Sequence, residues 1–195
     1  MNNQLIDSFM KHLKGKDLID VDLIAQEFFT HARSKYREWF GGRPFVTQGQ
    51  RVIDERPGMT FILAGYNKSP VNEKRIYLLS SNLDFAPQLC TSGHMLAGVP
   101  QYATYLIHRL YNPEMRVVHL KNLAAYLIQE TATQDPKVGG PIRMAQITLE
   151  NGYDELTEET ILGIVQKNEE QNVKLRKFFY EGEKKPQPKR KAQKK

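Results

Sequence analysis

The sequence predicts an α+β fold in which helices cover antiparallel sheet. Apolar residues recur at helical spacing in two segments at the start of the chain, two in its middle and one near its end. Two strand-like runs, Met59–Tyr66 and Lys74–Ser81, flank seven turn-rich residues, Asn67–Glu73, a hairpin-like connection. The resulting order, α-α-β-β-α-α-β-β-α, contains hairpins and no βαβ rhythm, which argues against a parallel sheet.

In the first helix, Leu5, Ile6, Phe9 and Leu13 form the apolar stripe, and Gly15 ends the run. Asp20 or Asp22 can cap the second, with Leu23, Ile24, Phe28 and Ala32 on one side and Gly41-Gly42 as the stop. His12 and His31 have no second ligand at metal-like spacing and read as ordinary surface or boundary residues. Trp39 and Phe40 read as core plugs. Between Arg43 and Pro57 the chain is polar and irregular, with one short strand expected near Phe45–Val46 or Arg51–Ile53.

The strands Met59–Tyr66 and Lys74–Ser81 are so apolar that they should lie inside a layered structure. Leu83–Gly98 carries Cys90 and His94, but a reactive thiolate needs a positioned base and an oxyanion donor, neither visible from spacing. Cys90 therefore reads as a small buried hydrophobe. Pro100 suits the first turn of a helix striped by Tyr102, Ala103, Leu106, Ile107 and Leu110. A further helix carries Leu120, Leu123, Ala124, Leu127 and Ile128, and Asp135-Pro136 closes it. Gly139-Gly140 permits a reversal into a strand at Ile142–Thr148, and Asn151-Gly152 turns it back through Tyr153–Leu156. Thr157 caps the last helix, whose buried side should hold Ile161, Ile164, Val165, Leu175 and Phe179. Asn168 and Asn172 interrupt that stripe, so the outer half is expected to project towards a partner.

Composition limits the function classes. Of 195 residues, 40% are hydrophobic and 26% charged, which suits a globular chain with a sizeable core. One cysteine excludes an internal disulfide and fits a reducing compartment, so a cytoplasmic location is expected. No apolar run approaches the ~20 residues that span a bilayer, and no signal peptide is evident, so no membrane contact is expected. The net charge of +6 is local: residues 183–195 hold seven Lys/Arg and one Glu, and the other residues balance. A domain over 1–182 with a disordered basic tail over 183–195 follows. The tail reads first as a solubilising end; nucleic acid, acidic lipid or an acidic protein are the other contacts its charge permits. No repeat, Walker loop, dinucleotide fingerprint or zinc pattern is present, and neither metal nor cofactor is expected.

Several blocks resemble the proteasome-type branch of the N-terminal-nucleophile (Ntn) hydrolases. FILAGYN (Phe61–Asn67) followed by IYLLSS (Ile76–Ser81) is similar to the family's paired strands. TSGHMLAGVPQYATYLI (Thr91–Ile107) resembles its glycine-serine-glycine turn and helix, with Ser92 and Gly93 matching. LAAYLIQETATQDPKVGGPIRMAQIT (Leu123–Thr148) resembles its helix, aspartate, glycine pair and strand, and ITLENGYDEL (Ile147–Leu156) its final hairpin. Each motif is short; their order makes the case.

The resemblance implies an Ntn-hydrolase-like αββα sandwich, antiparallel sheets covered by helices, in a ring-forming subunit of a threonine peptidase. It implies a homo-oligomer or assembly with related proteasome-like subunits. The strands that carry the family's nucleophile, supporting aspartate and lysine have no counterpart in 1–195, so the sandwich is expected to be incomplete at its N-terminus. Met1 and Asn2 are not nucleophiles, and no internal Gly-Thr pair offers a processing site. Asp135 and Ser92 match accessory catalytic positions, whereas Val138 stands where a serine is expected and cannot hydrogen-bond through its side chain. The expectation is a domain without peptidase activity, taking a peptide substrate only if the missing strands are supplied. The alternative is a non-catalytic oligomeric scaffold whose basic tail contacts nucleic acid or an acidic partner. Missing strands would also leave open sheet edges and uncovered apolar surface.

Overall fold

A computed structural model describes residues 2–42, 45–48, 51–54, 56–68 and 72–180, with 45–48 and 51–54 described as backbone only. The expected tail over 183–195 lies outside these residues. The described elements are helices α1 (Asn2–Leu13) and α2 (Val21–Phe40), strands β1 (Phe45–Gln48), β2 (Arg51–Asp54), β3 (Thr60–Asn67), β4 (Glu73–Ser80) and β5 (Gln88–Leu89), helices α3 (Gln101–Leu110) and α4 (Val117–Gln134), strands β6 (Ala145–Thr148) and β7 (Gly152–Glu155), and helix α5 (Glu158–Tyr180). The α+β class holds, with small antiparallel sheets and flanking helices. The chain divides into two compact units, 1–104 with 146–154, and 105–145 with 155–195.

In the first unit, α2 packs on β3 and β4 of the sheet β3-β4-β5, and α1 packs on α2, sharing the same core. β3 and β4 pair in register from Thr60↔Ser80 to Asn67↔Glu73, as the hairpin-length connection predicts. Leu5, Phe9, Phe28, Ala32, Tyr36, Phe40, Met59, Leu79 and Phe85 form the core, with Trp39 packed against it. Trp39 and Phe40 are thus the plugs their position suggested. The stripe of α2 is shifted from the expected one: Val21 and Ala25 are buried, while Leu23 faces solvent. Asp20 occupies the N-cap position but does not cap with its side chain. Its Oδ1 accepts the Lys68 N–H at 2.6 Å instead, tying the helix start to the end of β3.

Two departures come from pairing that periodicity cannot report. The segment 45–54 holds both short strands, paired from Phe45↔Asp54 to Gln48↔Arg51, where one was expected. β5 is two residues long and exists because Leu89 and Gln88 pair with Tyr77 and Leu78 of β4. Between β4 and β5 a 3-10 turn, Ser81–Leu83, leads to Asp84 and Phe85, both left-handed at φ 51° and 63°. The Phe85 N–H donates to Ser80 O at 2.7 Å, and its ring is wholly buried among Tyr36 and Phe61. Asp84 answers with ion pairs to Arg33 (2.6 Å) and Arg37 (3.1 Å) of α2. Left-handed backbone is uncommon for non-glycine residues, so this corner is held by its contacts.

In the second unit, α4 and α5 pack side by side. Thr157 caps α5 by accepting the Thr160 N–H at 3.3 Å. Ile161 is buried and Ile164 and Val165 half-buried, but Leu175 and Phe179 are exposed, which corrects the expected inner face. Asn168 and Asn172 do not mark a departure from the packing. Asn168 Nδ2 donates to Asn122 O and Gln129 Oε1, both at 3.1 Å, and Asn172 Nδ2 donates to Glu130 Oε1 at 2.7 Å. Both asparagines are thus seams holding α5 to α4. The buried line of α4 runs through Ala125, Leu127 and Thr131, with Ala124 and Ile128 outward. The strand expected at Ile142–Thr148 is shorter, beginning at Ala145.

Candidate functional site

The two accessory positions suggested by resemblance fall in different units. Ser92 follows β5, after Cys90 has extended the ladder by donating its N–H to Ile76 O at 2.8 Å. Gly93, at φ 77°, then folds the loop back on itself. Cys90 Sγ and Ser92 Oγ both donate to His94 O, at 3.0 and 2.9 Å, and lie 3.5 Å apart. A nucleophilic thiol or alcohol must pass its proton to a base, and a peptide carbonyl cannot take it. Both side chains therefore serve the turn in this arrangement.

Asp135 ends α4 in extended geometry, its N–H still donating to Thr131 O at 2.9 Å. The following proline forces that geometry. Its Oδ1 accepts the Lys137 N–H at 2.8 Å, and its carbonyl accepts the Val138 N–H at 3.0 Å. Gly140, at φ 89°, completes the reversal. The carboxylate is thus engaged in an Asx-type turn, and Val138 contributes only backbone.

Two polar clusters in the first unit were missed because their members are far apart in sequence. Tyr77 of β4 donates its hydroxyl to Asp22 Oδ1 of α2 at 2.7 Å. The Asp22 N–H donates to Oδ1 of buried Asn67 at 3.2 Å, and Arg75 lies 3.9 Å from Asp22 while pairing with Glu73 at 2.7 Å. Burial, then the hydrogen bond and charge of Asp22, push the Tyr77 phenol up to about 12. This keeps Tyr77 a hydrogen-bond donor and makes it a clamp.

The second cluster joins α1 to α2. His12 and His31 rings lie 4.9 Å apart, Ser8 Oγ is 2.9 Å from His31 Nε2, and Lys16 Nζ donates to Glu27 Oε2 at 2.6 Å. His12 Nε2 faces Glu27 at 3.0 Å and Lys16 at 2.9 Å. One nitrogen cannot donate to the first and accept from the second together, so the ring tautomer selects one of the two bonds. Bonds from Lys16 and then His12 lower the Glu27 carboxyl, while burial, then the charge of His12, lowers the His31 imidazole. The two histidines are a coupled boundary pair, closer to each other than their separate readings implied. Among the described residues no group of three or more His, Cys, Asp or Glu could hold a metal ion.

The sheet β3-β4-β5 has one face on the helices and one that is only partly covered. Residues of β3 alternate: Phe61 and Leu63 point to the core, while Thr60, Ile62 and Ala64 are exposed, Ile62 at 44%. This corrects the expectation that the strand is buried on both faces. Among the described residues β3 is an edge strand of its sheet, paired to β4 on one side. Near its end, the Tyr66 hydroxyl reaches Ile147 O of the β6-β7 hairpin at 3.4 Å.

Among solved structures, the chain is similar to Anbu (ancestral beta-subunit) from Yersinia bercovieri, with a TM-score of 0.66 and 12% identity. The likeness covers 89% of this chain and 72% of that one. At this identity what is shared is the fold. That fold, small antiparallel sheets flanked by helices, is the αββα-like arrangement expected above. No family model matches the chain, and no curated protein matches it by sequence. Among the described residues, no helix is long and apolar enough to cross a membrane.

Proposed function

We propose that this chain is a non-catalytic, self-assembling subunit of proteasome-like Ntn-hydrolase fold, related to threonine peptidases without cleaving peptides itself. One observation carries the reading. The side chains at the candidate positions, Ser92 and Asp135, are engaged in the turns that contain them, and Cys90 shares the carbonyl that Ser92 uses. Val138 adds no side-chain hydrogen bond where the resemblance expects a serine. Assembly is supported by the structural relative, which is described as an ancestral beta-subunit. The partners are further copies of this chain or related subunits; residues 183–195 are proposed as a solubilising tail.

The test is incubation of the purified chain with fluorogenic peptides of varied sequence. No turnover above buffer is expected, and turnover that survives repurification would overturn the reading.

The open edge of β3 and the exposed Ile62 and Ala64 favour a second reading. There, strands from polypeptide outside residues 1–195 pair with this sheet and bring a threonine nucleophile, making peptides the substrate. Co-expression with a proteasome-type beta subunit distinguishes the two: a stable complex with peptidase activity favours the second, and separate purification the first.

A further inference from the structure

Two arginines of α2 converge on a single oxygen while leaving most of their donors unspent. Arg33 Nε lies 2.6 Å and Arg37 Nη2 3.1 Å from Asp84 Oδ2. Only the second contact is a hydrogen bond. The Arg33 Nε–H is shielded from solvent and aligned on no acceptor, so its contact with Asp84 is one of charge alone. A guanidinium is a planar fork of several N–H donors. Among the described residues, Arg37 gives one of its donors to the carboxylate and Arg33 gives it none.

The two arginines stand about one helical turn apart and share a face of α2. With Phe29, Thr30 and Ser34 they line a shallow cleft of about 310 Å³. The Arg33 guanidinium sits 5.7 Å from the centre of the Phe29 ring, a cation–π contact that restrains it. Thr30 Oγ1 donates back to Gln26 O at 3.1 Å and so forms wall, whereas Ser34 is exposed and brings a hydroxyl to the same cleft.

This set suits a tetrahedral oxyanion better than a planar one. A carboxylate is satisfied by one bidentate fork. Phosphate presents oxygens in more directions, which two forks on successive turns and a hydroxyl on the same face can meet. Asp84 is a weak rival for the arginines, because all three side chains are partly exposed and exposed ion pairs hold loosely.

We propose that Arg33, Ser34 and Arg37 form a binding site for a phosphate group, free or on a small phosphomonoester, with Asp84 as its internal competitor. The site is separate from Ser92 and Asp135 and does not depend on the assembly reading.

The test follows arginine Nε–H and backbone amide signals of the full chain by NMR during titration with inorganic phosphate or glycerol phosphate. Ionic strength is held constant, since screening alone moves surface signals. Saturable shifts at 29–37 and 84 are expected, and the ligand that saturates at lower concentration identifies the source. Arg33→Gln and Arg37→Gln should each raise the Kd about tenfold or more, the loss for a charge-assisted contact. Asp84→Asn should lower it about fivefold, the effect of removing one nearby charge in water. Asparagine, like aspartate, tolerates the left-handed backbone there. Circular dichroism confirms that each variant is folded; if Arg33→Gln is not, Arg37→Gln, at the more exposed position, carries the test. No saturable shift at millimolar ligand, or shifts confined to 183–195, overturns the site. So do shifts that persist unchanged in both arginine variants. Weaker binding by Asp84→Asn overturns the competition, since the carboxylate would then belong to the site.

Discussion

Gly65 of β3 approaches Val21 of α2 so closely that a β-carbon on it would lie 3.2 Å from both Val21 Cβ and Cγ2. Val21 is buried at the first turn of its helix, and its branched side chain has little rotamer freedom. The glycine sets how near the helix layer comes to the sheet, and therefore how the Asp22–Tyr77 clamp reaches across.

Gly65→Val should destabilise the protein by about 1–3 kcal/mol through overpacking. Gly65→Ala should cost less, because alanine also limits the unfolded chain. Val21→Ala in the Gly65→Val background should recover part of the loss. Urea unfolding of the wild type, Gly65→Val, Val21→Ala and the double variant measures this; additive losses would show that the contact does not set the spacing.

The clamp predicts a response to alkali. With its pKa raised to about 12, Tyr77 favours the protonated phenol in the folded state more than in the unfolded one. Its contribution is therefore complete below pH ~10 and lost as pH rises through about 12. Tyrosinate absorbance should show a phenol titrating near 12, and Tyr77→Phe should remove that component while the late titration of Tyr126, raised by burial, stays. The same variant should lose about 1.5–3 kcal/mol at neutral pH, the range for a hydrogen bond to a charged acceptor.

The histidine pair predicts a response to acid. The His31 pKa lies below its ordinary 6.5, so the folded state prefers the neutral ring. Stability is complete above pH 6.5 and falls as pH drops through the folded value. The lowered Glu27 pKa extends the loss below its ordinary 4.5. The urea midpoint should decline from pH 6.5 downwards, and His31→Gln should flatten the upper part of that decline. An unchanged slope would mean that the pair is not coupled to folding.

Phe85 is fully buried although its backbone is left-handed. Phe85→Ala should cost about 3–5 kcal/mol, the range for removing a buried aromatic ring. Asp84→Ala should cost less, since Asp84 and the two arginines it pairs with are partly exposed. Thermal unfolding ranks the two variants; the reverse order would place the strain of the corner, rather than its packing, in control.

What the sequence made legible follows from physical range. The helices and the β3-β4 hairpin were readable because an amphipathic period and a connection length are local properties. β5 was not, because two residues become a strand only through pairing with Tyr77 and Leu78. Leu175 and Phe179 continue the period of α5 but are exposed, since period reports a face and not what covers it. Ser92 and Asp135 lie in turns, and that their side chains bond within those turns depends on angles the sequence does not display. His12 and His31 looked unrelated because their contact is made by helix packing.

The central claim, a proteasome-like fold without a competent nucleophile in this chain, is tested most directly by intact-mass measurement after exposure to a threonine-directed electrophile. An unmodified mass is expected at reagent excess. A stoichiometric adduct mapped to a serine or threonine hydroxyl, lost on unfolding the protein beforehand, would contradict it.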